Sequence, residues 1–327
     1  MEYIVKAPAK INLSLDITGK RQDGYHLLST VMQTIELFDI LTIRIDDLIK
    51  FGDEKIIVST NMGYIPSDTR NTAYKAANLF MSRYKNIVNS NRKENSLINK
   101  NPQNCTFTPK RIEIHIEKKI PVQAGLGGGS SDAAGVLVGM NNAFGQIFSM
   151  EELLEMGVLI GADVPFCIRG GTVYCEGIGE IMTPLKNLPD INILIVKPGF
   201  GVSTPWIFKN YKPELIFNRP DTKKVLESIE VCDLKSLFSS TSNVLEEITV
   251  LNYPEIIEIK QALINCGASF SMMSGSGSAV FGVFNDIQNA ERAYEKLSVL
   301  LQKFNPSLFL TKTCSNGPAL VKNANPY

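Results

Sequence analysis

Apolar and polar residues alternate strictly along Ile11-Asn12-Leu13-Ser14-Leu15-Asp16-Ile17, predicting a β-strand with its apolar side chains on one face. Lys10, Asn12, Ser14 and Asp16 share the other face. The period of two returns at 41–45 and at 112–116, where His115 joins Glu113 on a polar face. These segments suit an antiparallel sheet with one covered face. A glycine-rich run from Pro121 to Ser131 then leads into the small, apolar stretch 133–143, predicting a loop that opens a helix stopped by Gly145. Ser149 and Glu152 have capping-box spacing for a second helix over 150–160, and Asp163 with Pro165 marks the start of a short third one.

From Ile191 to Val196 an apolar strand opens a half of mainly helical periodicity. It predicts a helix over 254–265, a strand over 279–284 and a long helix with the stripe Ile287, Ala290, Tyr294, Leu297, Leu301 and Phe304. Residues 85–104 are asparagine-rich without sustained period and read as a surface insertion. The fold class is α+β. At 327 residues the chain is long enough for two domains, expected at 1–185 and 186–327.

Composition narrows the function. Lys plus Arg and Asp plus Glu number 33 each, so no overall basic field exists to gather nucleic acid or anionic lipid. No secretory signal pattern and no long apolar run is found, so a cytoplasmic protein without a membrane partner is expected. The six cysteines include no C-x-x-C pair and there are two histidines, which argues against a thiolate or histidine metal site.

The glycine-rich loop carries the strongest chemical signal. Residues without Cβ let backbone N–H groups approach an anion, and the helix N-terminus behind them adds unpaired donors and partial positive charge. No lysine stands between Gly129 and Ser130 as a Walker loop requires, and Ser130 lies where G-x-G-x-x-G needs its third glycine. Ser130 and Ser131 read equally as helix caps or as hydroxyls for a nucleotide-bound Mg²⁺. Asp163 taken alone reads as a cap or a base, Lys10 as a surface lysine, and Asp23-Gly24-Tyr25-His26 as a turn carrying an imidazole. Ser274-Gly275-Ser276-Gly277-Ser278 is a second glycine-rich turn before a strand.

In this order the pieces resemble the GHMP kinases, whose central motif stands here as Pro121-Val122-Gln123-Ala124-Gly125-Leu126-Gly127-Gly128-Gly129-Ser130-Ser131 and whose third motif as Gly275-Ser276-Gly277. Pro8 to Leu13, Gly19 to His26 and Gly161 to Pro165 resemble the members acting on 4-diphosphocytidyl-2-C-methyl-D-erythritol in the non-mevalonate isoprenoid route. The resemblance implies an N-terminal domain like ribosomal protein S5 domain 2, a ferredoxin-like C-terminal domain and a cleft between them. It implies ATP as co-substrate with Mg²⁺, the metal reached through Ser131, and transfer of the γ-phosphoryl to the 2-hydroxyl. Asp163 falls on the catalytic base and Lys10 on the catalytic lysine; Asn71 falls near the nucleotide. Asn12, Tyr25, His26 and Phe208 fall on the substrate, with Trp206 a competitor for the ring of Phe208. A monomer or weak homodimer is expected. A catalytically silent nucleotide-binding regulator would lack Asp163 or Lys10, and both are present.

Overall fold

The computed structural model describes residues 1–46, 55–97 and 111–324. The alternating N-terminal segment extends both ways into β1 (Glu2–Lys20), which pairs antiparallel with β2 (His26–Asp46) across a turn at Asp23, whose Oδ1 accepts the Tyr25 N–H at 3.2 Å. Next come β3 (Lys55–Thr60), α1 (Thr72–Leu97), β4 (Arg111–Glu117), α2 (Gly128–Ala143), α3 (Met150–Ile160), α4 (Val164–Arg169), β5 (Thr172–Gly177) and β6 (Ile181–Pro184). β2 pairs with β1, β4 and β5, β6 adds to β5, and β3 runs parallel to β4 at the edge. Apolar faces of α1 to α4 cover one side of this sheet, with Phe80, Val136, Leu137 and Phe166 in its core.

The second half contains β7 (Asn192–Lys197), α5 (Thr204–Asn210), α6 (Thr222–Glu230), α7 (Leu234–Ser240), α8 (Val244–Thr249), α9 (Glu255–Asn265), β8 (Phe270–Met273), β9 (Val280–Phe284), α10 (Ile287–Leu300) and β10 (Ser307–Lys312). Its sheet is antiparallel in the order β10-β7-β9-β8, with helices between β7 and β8 and between β9 and β10, which is the ferredoxin-like β-α-β-β-α-β pattern. Ile259, Leu263, Ala293 and Leu297 pack on Leu194, Val196, Val280 and Phe284 on one face. On the other, Ile193, Ile195 and Phe281 meet Ile11, Leu13, Val31 and Ile35 of the first sheet. A shared apolar core therefore fixes the two sheets against each other, and the cleft opens beside it.

Two expectations change. The last strand, β11 (Ala319–Ala324), returns to the first sheet beside β1, so the second unit is not the unbroken stretch 186–327. The backbone of 85–97 continues α1 rather than forming a separate insertion, because buried Val88 and half-buried Ile87 keep that helix packed on the core; 98–104 lie outside the described residues. The capping box at Ser149 and Glu152 forms as predicted.

Candidate active site

The glycine-rich loop of residues 121–131 is held where a side chain would not fit. Gly125 (φ +75) and Gly127 (φ +71) both adopt left-handed conformations. A Cβ on Gly125 would lie 1.9 Å from the Ser274 carbonyl oxygen, and one on Gly127 would lie 2.9 Å from Cγ of Lys10. The loop is thus pressed between the serine-glycine turn and the first strand. No side chain caps α2, whose N-cap is Gly127 itself, leaving its first-turn N–H groups for an anion.

That geometry corrects the serine pair. Neither serine caps the helix. Ser131 is fully buried and its Oγ donates to the Pro8 carbonyl at 2.7 Å, so it locks α2 to β1; Ser130 is the one lining the cleft. Asn71 caps α1: its Oδ1 accepts the Ala73 N–H at 2.8 Å and its Nδ2 donates to the Pro66 carbonyl at 2.7 Å. Neighbouring Thr72 lines the cleft and donates to the Gly129 carbonyl at 2.6 Å. Gly277 stays behind the turn against Met273, while Gly275 and Ser276 reach the cleft wall.

Lys10 and Asp163 meet. The buried Lys10 Nζ lies 3.3 Å from Oδ2 of the more exposed Asp163 and donates to Asn12 Oδ1 at 2.7 Å. Asn12 Nδ2 donates to Thr30 Oγ1 at 2.9 Å, and its backbone N–H donates to Ser274 Oγ at 3.3 Å, which donates onward to the Gly125 carbonyl at 3.0 Å. Asp163 occupies the N-cap position of α4, yet its side chain makes no capping hydrogen bond and remains free to face the cleft. One polar chain therefore ties lysine, phosphate loop and serine-glycine turn together. Thr30 and Asn243 were missed by sequence reasoning, since nothing local marks them. Asn243 Nδ2 donates to the Met273 and Gly275 carbonyls at 2.8 and 2.7 Å, holding the turn in place.

The far end of the cleft, about 870 Å³ in all, is aromatic. Tyr25 is 61% exposed at its wall, and His26 stacks with Phe208 at a centroid distance of 5.4 Å and 29°. Trp206 points elsewhere on α5 and does not line the cleft. Burial, helped by the Lys20 charge, lowers the His26 pKa below the ordinary histidine value, so the imidazole is neutral near pH 7 and offers both a donor and an acceptor.

Beneath the loop lies a charged cluster that sequence reasoning also missed. Lys118 donates to Asp39, and to Asp132 at 2.7 Å, with all three side chains buried. Asp39 Oδ1 accepts the N–H groups of Lys119 and Ile120 at 2.6 and 2.9 Å. The cluster thus joins the strand entering the loop to the helix leaving it. Burial and the nearby Asp39 carboxylate push Asp132 up to about 7 against the opposing pull of Lys118.

Known proteins share this fold. Residues 71–171 match the GHMP kinases N terminal domain and residues 228–300 the GHMP kinases C terminal domain. A 4-diphosphocytidyl-2-C-methyl-D-erythritol kinase of Clostridium botulinum (strain Kyoto / Type A2) is 46% identical over 308 residues, 94% of this chain and 99% of that one. The chain belongs to the GHMP kinase family. A Caldicellulosiruptor saccharolyticus protein of the same name is 42% identical over 313 residues, 96% of this GHMP kinase and 97% of its relative. Among solved structures, a 4-(cytidine 5'-diphospho)-2C-methyl-D-erythritol kinase superposes with a TM-score of 0.73 at 28% identity, covering 97% of this chain and all of the other. A homoserine kinase from Cytophaga hutchinsonii reaches a TM-score of 0.71 at 18% identity, over 98% and 97% of the two chains, and shares the fold. As a GHMP kinase the protein is a small-molecule kinase with ATP as co-substrate. Among the described residues no helix is long and apolar enough to cross a membrane.

Proposed function

We propose that the protein transfers the γ-phosphoryl group of ATP to the 2-hydroxyl of 4-diphosphocytidyl-2-C-methyl-D-erythritol, giving the 2-phosphate and ADP. The observation carrying this reading is that a Lys10–Asp163 pair shares one cleft with an uncapped phosphate loop and with an aromatic end bearing a neutral histidine. The names of the relatives, matched over nearly the whole chain, support the substrate.

Phosphoryl transfer through a loose transition state leaves the protein mainly positioning and charge stabilisation. The loop N–H groups and the N-terminus of α2 hold the triphosphate. As the new O–P bond forms and the bond to the β-phosphate oxygen breaks, Asp163 takes the hydroxyl proton, and Lys10 stabilises the developing negative charge. Among the described residues no group of three or more histidines, cysteines and carboxylates is placed to hold a metal by itself. The Ser130 hydroxyl, which lines the cleft, suits an Mg²⁺ brought in on the nucleotide. Bound there, Mg²⁺ would supply charge neutralisation at the phosphate oxygens. At the other end Tyr25 and Phe208 offer rings for a pyrimidine, and His26 offers a hydrogen-bonding edge.

Phosphorus NMR with Mg-ATP and the cytidine substrate tests this reading, with mevalonate, homoserine and galactose as competing acceptors. A new phosphomonoester on the cytidine substrate alone is expected. ADP formed only with another alcohol would retain the family and overturn the substrate.

A further inference from the structure

The segment from Asn210 to Asp221 contributes nothing to the cleft wall, yet it carries a guanidinium that ties together the elements of its aromatic end. Arg219 Nη1 donates to Asp16 Oδ1 at 2.5 Å and to the Ile17 carbonyl at 3.1 Å, while Nη2 donates to the Tyr211 hydroxyl at 3.1 Å. Asp16 and Ile17 sit near the end of β1, where Ile17 pairs with Leu28 and Lys20 pairs with His26. Tyr211 follows the last residue of α5 and meets His26 edge-on at 5.5 Å and 78°, while Phe208, on α5 itself, stacks with the same imidazole. One planar fork therefore fixes the end of β1, the start of β2 and the end of α5 relative to one another. A lysine, with a single ammonium, does not reproduce that fork.

We infer that Arg219 is a positioning residue for the base end of the cleft: through Tyr211 it sets the spacing of His26 and Phe208, and with it the selectivity for a cytidine group. This inference rests on the substrate reading above. A bracket of this kind predicts a selective defect. Misplacing His26 and Phe208 weakens recognition of the base, while the phosphate loop and the Lys10–Asp163 pair keep separate supports from Ser131, Ser274 and Asn12.

Steady-state kinetics of Arg219→Met, Arg219→Lys and Tyr211→Phe, read beside calorimetric titration with cytidine diphosphate, test it. For Arg219→Met the KM of the cytidine substrate and the dissociation constant of cytidine diphosphate are expected to rise together by roughly tenfold, with the KM of ATP and kcat within about twofold of wild type. Tyr211→Phe, which keeps the ring and loses the bridge, is expected to show the same selectivity at about threefold, and Arg219→Lys to recover only part of the affinity. Equal rises in both KM values, or an unchanged KM for the cytidine substrate, would overturn the inference while leaving the substrate reading intact. Should Arg219→Met fail to fold, Tyr211→Phe decides the matter by the same criteria. A wild-type protein that neither binds cytidine diphosphate nor phosphorylates the cytidine substrate would overturn the substrate reading, and this inference with it.

Discussion

Gly127 lies directly against the side chain of Lys10: a Cβ at that glycine would come within 2.9 Å of the lysine Cγ and 3.3 Å of its Cε. The glycine-rich loop and Lys10 are therefore one packed unit. Lys10 also donates its backbone N–H to the Leu126 carbonyl at 3.0 Å, so strand and loop are joined through main chain as well.

Gly127→Ala follows as the first test of that unit. The left-handed backbone alone would cost an alanine roughly 1–2 kcal/mol, which the shared core of a protein this size tolerates. The methyl group would also displace the Lys10 stem, and small misplacements of reacting groups lower turnover by as much as about 10²-fold. A folded variant with a melting temperature lowered by a few degrees and kcat reduced at least about tenfold is expected. Wild-type kcat in a folded Gly127→Ala protein would show that the packing does not position the lysine.

Asp163→Asn separates catalysis from folding. The Asp163 side chain makes no capping bond to α4, so the amide leaves that helix start intact; buried Lys10 loses its carboxylate but still donates to Asn12, so a folded protein with a lowered melting temperature is expected. Loss of the proton acceptor should lower kcat by roughly 10²–10⁴-fold with ATP affinity nearly unchanged. Single-turnover phosphorylation alongside nucleotide titration reads both quantities. Unchanged turnover would remove Asp163 from the mechanism.

The backbone of this site was legible because its signals are local, whereas the roles of Lys10, Asp163, Tyr25 and His26 rest on the family resemblance. The alternation around Lys10, the glycines of the loop, the Asp163-Val164-Pro165 helix start and the Tyr25-His26 turn each mark a backbone feature that neighbouring residues determine. What escaped depends on contacts distant in sequence. Lys118 looks like an ordinary strand-end lysine until Asp39 and Asp132 converge on it, and Asn243 gives no sign that it will hold the Gly275 carbonyl. Ser131 was misplaced for a related reason. The family resemblance puts both Ser131 and Asn71 near the nucleotide, but only packing decides which of two adjacent hydroxyls turns inward and that the asparagine also caps its own helix. The return of β11 to β1 left no local trace either, since a lone terminal strand does not name its partner.

The lowered pKa of His26 predicts a pH dependence. Its imidazole is neutral at pH 7 and, held down by burial and by Lys20, takes up a proton only below the ordinary value of 6.5. The KM for the cytidine substrate should therefore stay flat from pH 8 down to about 6.5 and climb only on further acidification, as the acceptor nitrogen is lost. His26→Gln should raise the KM throughout and abolish the climb. For folding the sign follows from the same shift. Just below pH 6.5 the unfolded chain binds more protons than the folded one, so stability falls there with pH, and the glutamine variant should lose that component. A KM that climbs identically in wild type and His26→Gln would assign the titration to another group.

The buried triad beneath the loop makes the last prediction, and here the sign reverses. Asp132 titrates at about 7 in the folded protein against 3.8 as a free side chain, because burial and Asp39 outweigh the attraction of Lys118. Between those values the folded state holds a proton that the unfolded chain has released, so this group's contribution to stability is complete below pH 3.8 and is lost as pH rises through about 7. Asp132 Oδ1 also lacks a hydrogen-bond partner, so its charged form is poorly compensated. Asp132→Asn removes the charge while keeping an acceptor for Lys118. Denaturant titrations across pH 5 to 9 should show it matching or exceeding wild-type stability at pH 8, with a flatter pH dependence. Lys118→Met should do the opposite, costing roughly 3–5 kcal/mol by stranding buried carboxylates, and should raise the KM for ATP as the strand entering the loop loosens. If Asp132→Asn is as destabilising at pH 8 as Lys118→Met, then the carboxylate is charged and needed there, and the loop rests on a true ion pair.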